Sequence, residues 1–250
     1  MTEGPTPETR LFVEASLGPG GTAELPSEQA HFLRNVLRLA PGAAVALFNG
    51  RDGEWLGRVA SLGKSSGSIA LERQLQPQNS PADLWLLFAP IKRGRVDYLV
   101  EKATELGVSA LQPVWTQRTI VDRVNLDRLR AHAVEAAEQT GRLDVPELRE
   151  PLALDRLIAT WPQDRRLMLC DESGKSPLVT EALAKAAPGP WAILTGPEGG
   201  FTETELDGLR KLPFVCGVGL GPRILRADTA ALAALAVFQA IRGDWPARSP

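Results

Sequence analysis

Two glycine-rich segments carry the clearest chemical signal in this chain. The first is Leu194-Thr195-Gly196-Pro197-Glu198-Gly199-Gly200-Phe201. It follows a short apolar run and precedes Thr202-Glu203-Thr204-Glu205, the pattern of a capping box that opens a helix. Glycines here permit positive φ and let a ligand approach the backbone closely. A strand-to-helix turn of this kind sits at the carboxyl end of a sheet, where open α/β folds bind ligands. The second segment, Gly217-Val218-Gly219-Leu220-Gly221-Pro222-Arg223-Ile224-Leu225-Arg226, has the same strand-before, helix-after context. One such turn alone could be a tight connection with no ligand. Two after neighbouring strands point to a cleft, with Arg223 and Arg226 supplying charge at its rim. The spacing of Gly196, Gly199 and Gly200 does not fit the dinucleotide pattern G-x-G-x-x-G. Ser173-Gly174-Lys175-Ser176 imitates the end of a phosphate-binding loop, but Leu169 stands where that loop needs its first glycine. It reads as an exposed loop.

The elements that position these turns follow from apolar periodicity. Strands are expected at 84–89, 110–114, 167–170, 191–194 and 215–220, with helices at 96–106, 126–139, from Thr202 towards Leu212, and 229–242. Asp228 is the expected cap of the last helix. Strand–helix alternation implies an α/β fold with a parallel sheet covered by helices. The polar, proline-bearing stretch 74–81 separates this region from a differently patterned one. That first region has β-rich runs at 10–16, 44–48, 54–61 and 68–74, and one helix from Ser27, its expected cap, to Leu39. It predicts a small β-barrel domain over 1–75, followed by an α/β domain over 76–250.

Composition sets bounds rather than a function. With 28 Lys+Arg against 30 Asp+Glu the net charge is −2, and neither region is basic in balance. Any nucleic-acid contact must come from local patches. His31, Arg34 and Arg38 share one face of the expected first helix, opposite Phe32, Val36 and Leu39. Lys92, Arg93 and Arg95 cluster where a strand meets a helix. Such groups could hold phosphates, although each alone could equally be a solvated face. The two cysteines, Cys170 and Cys216, lie in apolar runs and read as core thiols of a cytoplasmic protein. No secretory signal, membrane span or metal-ligand spacing is visible.

The segments 194–201 and Leu220-Gly221-Pro222-Arg223-Ile224-Leu225-Arg226-Ala227-Asp228-Thr229-Ala230 resemble the bacterial 16S ribosomal RNA uridine-N3 methyltransferase family, of the SPOUT class. Further matches are His31 with Val36-Leu37-Arg38, Lys102-Ala103-Thr104-Glu105-Leu106-Gly107, and Glu135-Ala136-Ala137-Glu138-Gln139 with Arg142. Together they run through nearly the whole chain in the expected order. Two positions depart from the family pattern: Ala227-Asp228-Thr229 replaces Thr-Glu-Thr, and Arg118-Thr119 replaces Arg-Ser. The resemblance implies a PUA-like RNA-binding barrel before a SPOUT domain with a deep trefoil knot, S-adenosylmethionine as cofactor, and a homodimer. It also implies an RNA partner, the 16S ribosomal RNA of the small subunit. Alternatives are a SPOUT enzyme acting on transfer RNA or a ribose hydroxyl, and a non-catalytic RNA-binding assembly factor.

Under that reading, Leu194, Thr195, Gly196, Glu198, Gly199 and Gly200 bind the cofactor with Leu220, Gly221, Pro222, Ile224 and Leu225. The clusters of His31, Arg34 and Arg38, and of Lys92, Arg93 and Arg95, contact RNA with Arg223. Methyl transfer from a sulfonium requires no metal, and uracil N3 must lose its proton. Arg226 is the candidate catalytic group, because a cation beside the uracil oxygens stabilises the developing anion. N3 lies on the Watson–Crick edge, so the target must be unpaired or extruded. A Gly196→Val change is expected to put two methyls in the ligand's path without disturbing the fold. The apolar face Ala230, Ala233, Ala234, Val237 and Ile241 of the last helix suits a two-fold contact.

Overall fold

The computed structural model describes residues 6–79 and 82–245. These group into two units. Residues up to 79 with 137–145 form the first, and the remainder forms the second.

The first unit holds β1 (Arg10–Phe12), β2 (Thr22–Leu25), α1 (Ser27–His31), β3 (Ala44–Phe48), β4 (Glu54–Leu62) and β5 (Gly67–Gln76). They form one sheet in the order β1-β3-β4-β5-β2, antiparallel except for the β1–β3 pair. Three register shifts along β4–β5 mark bulges, which bend a strand and increase its twist. Leu11, Leu33, Val45, Leu47, Trp55 and Ile69 belong to its core. Strand β5 runs through Gln76, and the first unit continues past it.

Residues 137–145 join this unit through Arg10. Its guanidinium donates to the buried carboxylate of Glu54 at 2.5 Å, to the carbonyls of Ala137 and Glu138 at 2.9 Å each, and to that of Arg142 at 2.7 Å. A cation among the last carbonyls of a helix is well placed against the helix dipole.

The expected helix over 27–39 is interrupted. Pro26 takes the cap position in place of Ser27, and a wider π turn follows α1 at Phe32–Val36. In that turn the Leu37 amide bonds to Phe32 O, five residues back. The extra residue per turn rotates the faces, so Leu33 is buried while Phe32 is 37% and Val36 59% exposed. Of the predicted inward face, Phe32 and Val36 therefore turn out to solvent, while Leu39 still packs against the core. Arg38 ends the turn at φ 57°.

The second unit comprises β6 (Leu84–Phe88), α2 (Arg93–Glu105), β7 (Ala110–Trp115), α3 (Leu126–Thr140), β8 (Glu147–Leu148), β9 (Leu152–Ala153) and α4 (Leu154–Ala159). It continues with β10 (Arg166–Cys170), α5 (Val179–Lys185), β11 (Trp191–Thr195), α6 (Glu203–Arg210), β12 (Val215–Val218) and α7 (Ala227–Ile241). The last residues of α3, from Ala137, group with the first unit. The sheet order is β12-β10-β11-β6-β7-β8, every pair is parallel, and β9 pairs further along β7. This is the α/β fold read from the alternation. Strands β10, β11 and β6 are almost wholly buried, as strands covered on both faces must be.

The caps divide. Thr202 and Glu205 form the predicted capping box of α6. Asp228 does not cap α7, whose cap position is Arg226 without a side-chain bond. Asp228 lies just inside the helix and accepts from the Thr229 amide at 2.9 Å.

Candidate functional site

Strands β11, β10 and β12 are parallel neighbours, so the loops leaving their carboxyl ends must emerge side by side. Three loops do so: 171–178 after β10, 196–202 after β11 and 219–226 after β12. The first and third are tied by a parallel bridge between Leu178 and Gly219. There Gly219 N donates to Pro177 O at 2.8 Å, and Val179 N to Gly219 O at 3.0 Å. Between the loops lies a cleft of about 1030 Å³.

Both predicted turns line it, as residues 195–200 and 220–226, and they bring Lys92 and Arg95 with them. Leu194 does not line it; its side chain is buried in the apolar core with Leu87, Leu169 and Ala192. That follows from β11 still being a covered strand at this position. His31, Arg34 and Arg38 belong to the first unit. His31 and Arg38 are exposed there, whereas Arg34 donates to Gly63 O at 3.0 Å. The Arg93 side chain lies outside those described.

The glycines of the turns differ in what they permit. Gly200 and Gly221 adopt φ of +66° and +113°, which disfavour any side chain. A Cβ on Gly196 would lie 3.0–3.4 Å from the ring of buried Phe201. A side chain there presses on the Phe201 ring, so Gly196→Val is expected to strain the core as well as the cleft.

The charges of the cleft sort by their partners. Arg95 donates to Asp228 at 3.2 Å. Arg118, from the loop after β7, donates through one nitrogen to the carbonyls of Gly199 at 2.9 Å and Phe201 at 3.2 Å. Arg223 and Arg226 are exposed, and their guanidinium groups pair with nothing among the described residues. Beneath them, burial raises the Asp171 carboxyl, but bonds from Ser176 at 2.6 Å, Arg210 at 2.7 Å and the Ser173 amide outweigh it. The net effect holds Asp171 at about 2, ionised and fully committed. Burial pushes the Cys170 thiol up to about 12, so it is no nucleophile at neutral pH.

Sequence reasoning did not select Arg118, Glu172 or Ile120. Arg118 and Ile120 sit on a loop without glycine punctuation, and Glu172 adjoins the segment that imitated a phosphate loop. Ile120 and Ile224 are each 87% exposed where they meet the cleft. Among the described residues, no group of three or more His, Cys, Asp or Glu could hold a metal ion. No helix there is long and apolar enough to cross a membrane.

Residues 78–239 match the family model of an RNA methyltransferase domain, and residues 25–72 that of an RNA methyltransferase PUA domain. A Rickettsia conorii protein named ribosomal RNA small subunit methyltransferase E is 31% identical over 230 residues, spanning 91% of this chain and 93% of that one. The chain belongs to this family. The Synechocystis methyltransferase E is 32% identical over 239 residues, spanning 93% of this chain and 77% of its own length. The Neisseria gonorrhoeae methyltransferase E, crystallised bound to S-adenosyl methionine, superposes with a TM-score of 0.84 at 29% identity, over 95% of this chain and 99% of that one. The parallel α/β domain and the PUA-type domain before it thus accord with the membership.

Proposed function

We propose that this protein is an S-adenosylmethionine-dependent methyltransferase of 16S ribosomal RNA that methylates N3 of a uridine in the small subunit. The convergence of the two glycine-rich loops on one cleft, in a chain of the methyltransferase E family, carries the reading. The cleft suits such a donor. Its volume of about 1030 Å³ is at the upper end of small-molecule sites, leaving room for a base beside the cofactor. Backbone groups of 195–200 and 220–225 would hold the donor, since the positive-φ glycines keep side chains out of its way. When bound, the donor supplies an electrophilic methyl group on a sulfonium.

The rest falls to the chain's own residues. Arg226, unpaired beside the cleft, would stabilise negative charge on the uracil oxygens as N3 loses its proton. Arg223 and Lys92 are free to meet phosphates at the rim, and so are His31 and Arg38 in the PUA-type unit. Functionally we divide the chain into an RNA-binding portion, 1–75, and a catalytic portion, 76–250. We further place the 219–226 segment in a trefoil knot, supported by the β12-β10-β11-β6 order and its bridge to Leu178. The enzyme works in the cytoplasm as a homodimer. Of the α7 residues proposed for the two-fold contact, Ala230, Ala233, Val237 and Ile241 are only partly covered within the chain, while Ala234 is buried.

Unmodified small subunits incubated with methyl-labelled S-adenosylmethionine test the reading. Label recovered as 3-methyluridine from 16S RNA is the expected result. Label in a ribose, or in transfer RNA alone, refutes it.

A further inference from the structure

The cleft is lined by three carboxylates, Asp171, Glu172 and Glu198. Asp171 is committed to Arg210 and two serines. Glu198 faces the Lys92 amide at 3.5 Å. Glu172 is different. One oxygen accepts from the Phe201 amide at 3.2 Å, and no cation among the described residues pairs with it. Yet Lys92, Arg118, Arg223 and Arg226 line the same cleft. Gly200, at φ +66°, brings the turn against the end of the exposed Glu172 side chain, where a Cβ would meet the carboxylate. Satisfying the Phe201 amide would need only a neutral acceptor. An exposed carboxylate anchored on the Phe201 amide, and ion-paired with no cation among the described residues, suits a ligand that brings its own positive charge.

Taking the cleft as the S-adenosylmethionine site, we propose that Glu172 is a specificity-determining residue that favours the cationic methyl donor over the neutral thioether product. The reaction itself creates the difference. N3, its proton passed to solvent, bonds the methyl carbon, the C–S bonding pair stays on sulfur, and the sulfonium becomes a thioether with one positive charge fewer. A carboxylate facing the cleft attracts the first and is indifferent to the second. Reloading after each turnover is thereby favoured over product retention.

Calorimetric titration of the full chain with three ligands tests this. S-adenosylmethionine and sinefungin, which carries an ammonium near the position of the sulfonium, are the cationic probes. S-adenosylhomocysteine is the neutral one. In the parent protein the cationic ligands should bind roughly tenfold more tightly, and added salt should narrow the gap. Glu172→Gln keeps the acceptor for Phe201 and removes the charge. It should bring the three affinities to within about twofold of one another by weakening the cationic ligands, with thioether affinity and melting temperature unchanged. Glu172→Asp should restore part of the preference. Equal weakening of all three ligands by Glu172→Gln, or an unchanged preference, overturns the charge role while leaving the cleft as the donor site. Failure of the parent protein to bind any of them overturns both readings.

Discussion

Replacing Arg226 with alanine separates catalysis from binding and from folding. The side chain is exposed and has no partner among the described residues, so its removal strands no buried group. It occupies the cap position of α7 without a side-chain bond, so alanine forfeits no cap either. Stability should therefore change by no more than about 0.5 kcal/mol, the range of ordinary surface substitutions. The rate should behave differently. A donor aimed at charge that appears only in the transition state is worth ~10²–10³ in turnover, or roughly 3–4 kcal/mol. Single-turnover methylation of small subunits should fall by that factor while donor affinity stays near normal. Arg226→Lys should recover only part, because an ammonium lacks the planar two-pronged geometry. Arg223→Ala provides the contrast, weakening RNA binding in a salt-dependent way with a smaller effect on single-turnover rate. An Arg226→Ala protein that is folded and methylates at an undiminished single-turnover rate refutes the argument. Loss of melting temperature in parallel with activity would show a structural residue instead.

Gly196→Val should lose donor binding and stability together, by about 1–3 kcal/mol in chemical denaturation, because the added carbons press on Phe201; binding lost with stability intact would contradict this. Asp171, held at about 2 against an ordinary 3.8, contributes stability that is fully present above pH ~4 and is lost as pH falls through about 2. That contribution is about 2 kcal/mol, so the acid limb of the stability curve should flatten in Asp171→Asn, which should itself be destabilised near neutrality; an unchanged limb would count against it. Sedimentation at low micromolar concentration should give twice the 26.9 kDa chain mass, and a monomer alone would reject the two-fold contact.

The sequence revealed most where burial leaves continuous apolar runs. Strands β6, β7, β10 and β11 are buried almost throughout and stand out for that reason, whereas the edge strand β12 is only partly covered. Both cleft turns were legible because closely spaced glycines and prolines between a strand and a helix have few other uses. Short elements escaped: β2, β8, β9, α4 and α5 are each seven residues or fewer, too brief for a period to register. The π turn at Phe32–Val36 escaped for another reason, since one extra residue per turn breaks the helical period from which faces are assigned. Glu172 carried no signal, because its value arises from β10 lying beside β11, a neighbour relation that linear spacing does not contain.

Arg10 ties the order of synthesis to the order of folding. Its guanidinium needs the carbonyls of Ala137, Glu138 and Arg142, and with them it neutralises the buried carboxylate of Glu54. A chain emerging from the ribosome can pair β3, β4 and β5 early, but it waits for residue 142 before that cation has its acceptors. By then β6, α2 and β7 have already been made. The amino-terminal module is accordingly not a detachable piece of sequence. A fragment cut at residue 79 keeps the Arg10–Glu54 pair but leaves Arg10 short of three carbonyl acceptors and removes the buried side chains of Ala137 and Leu143.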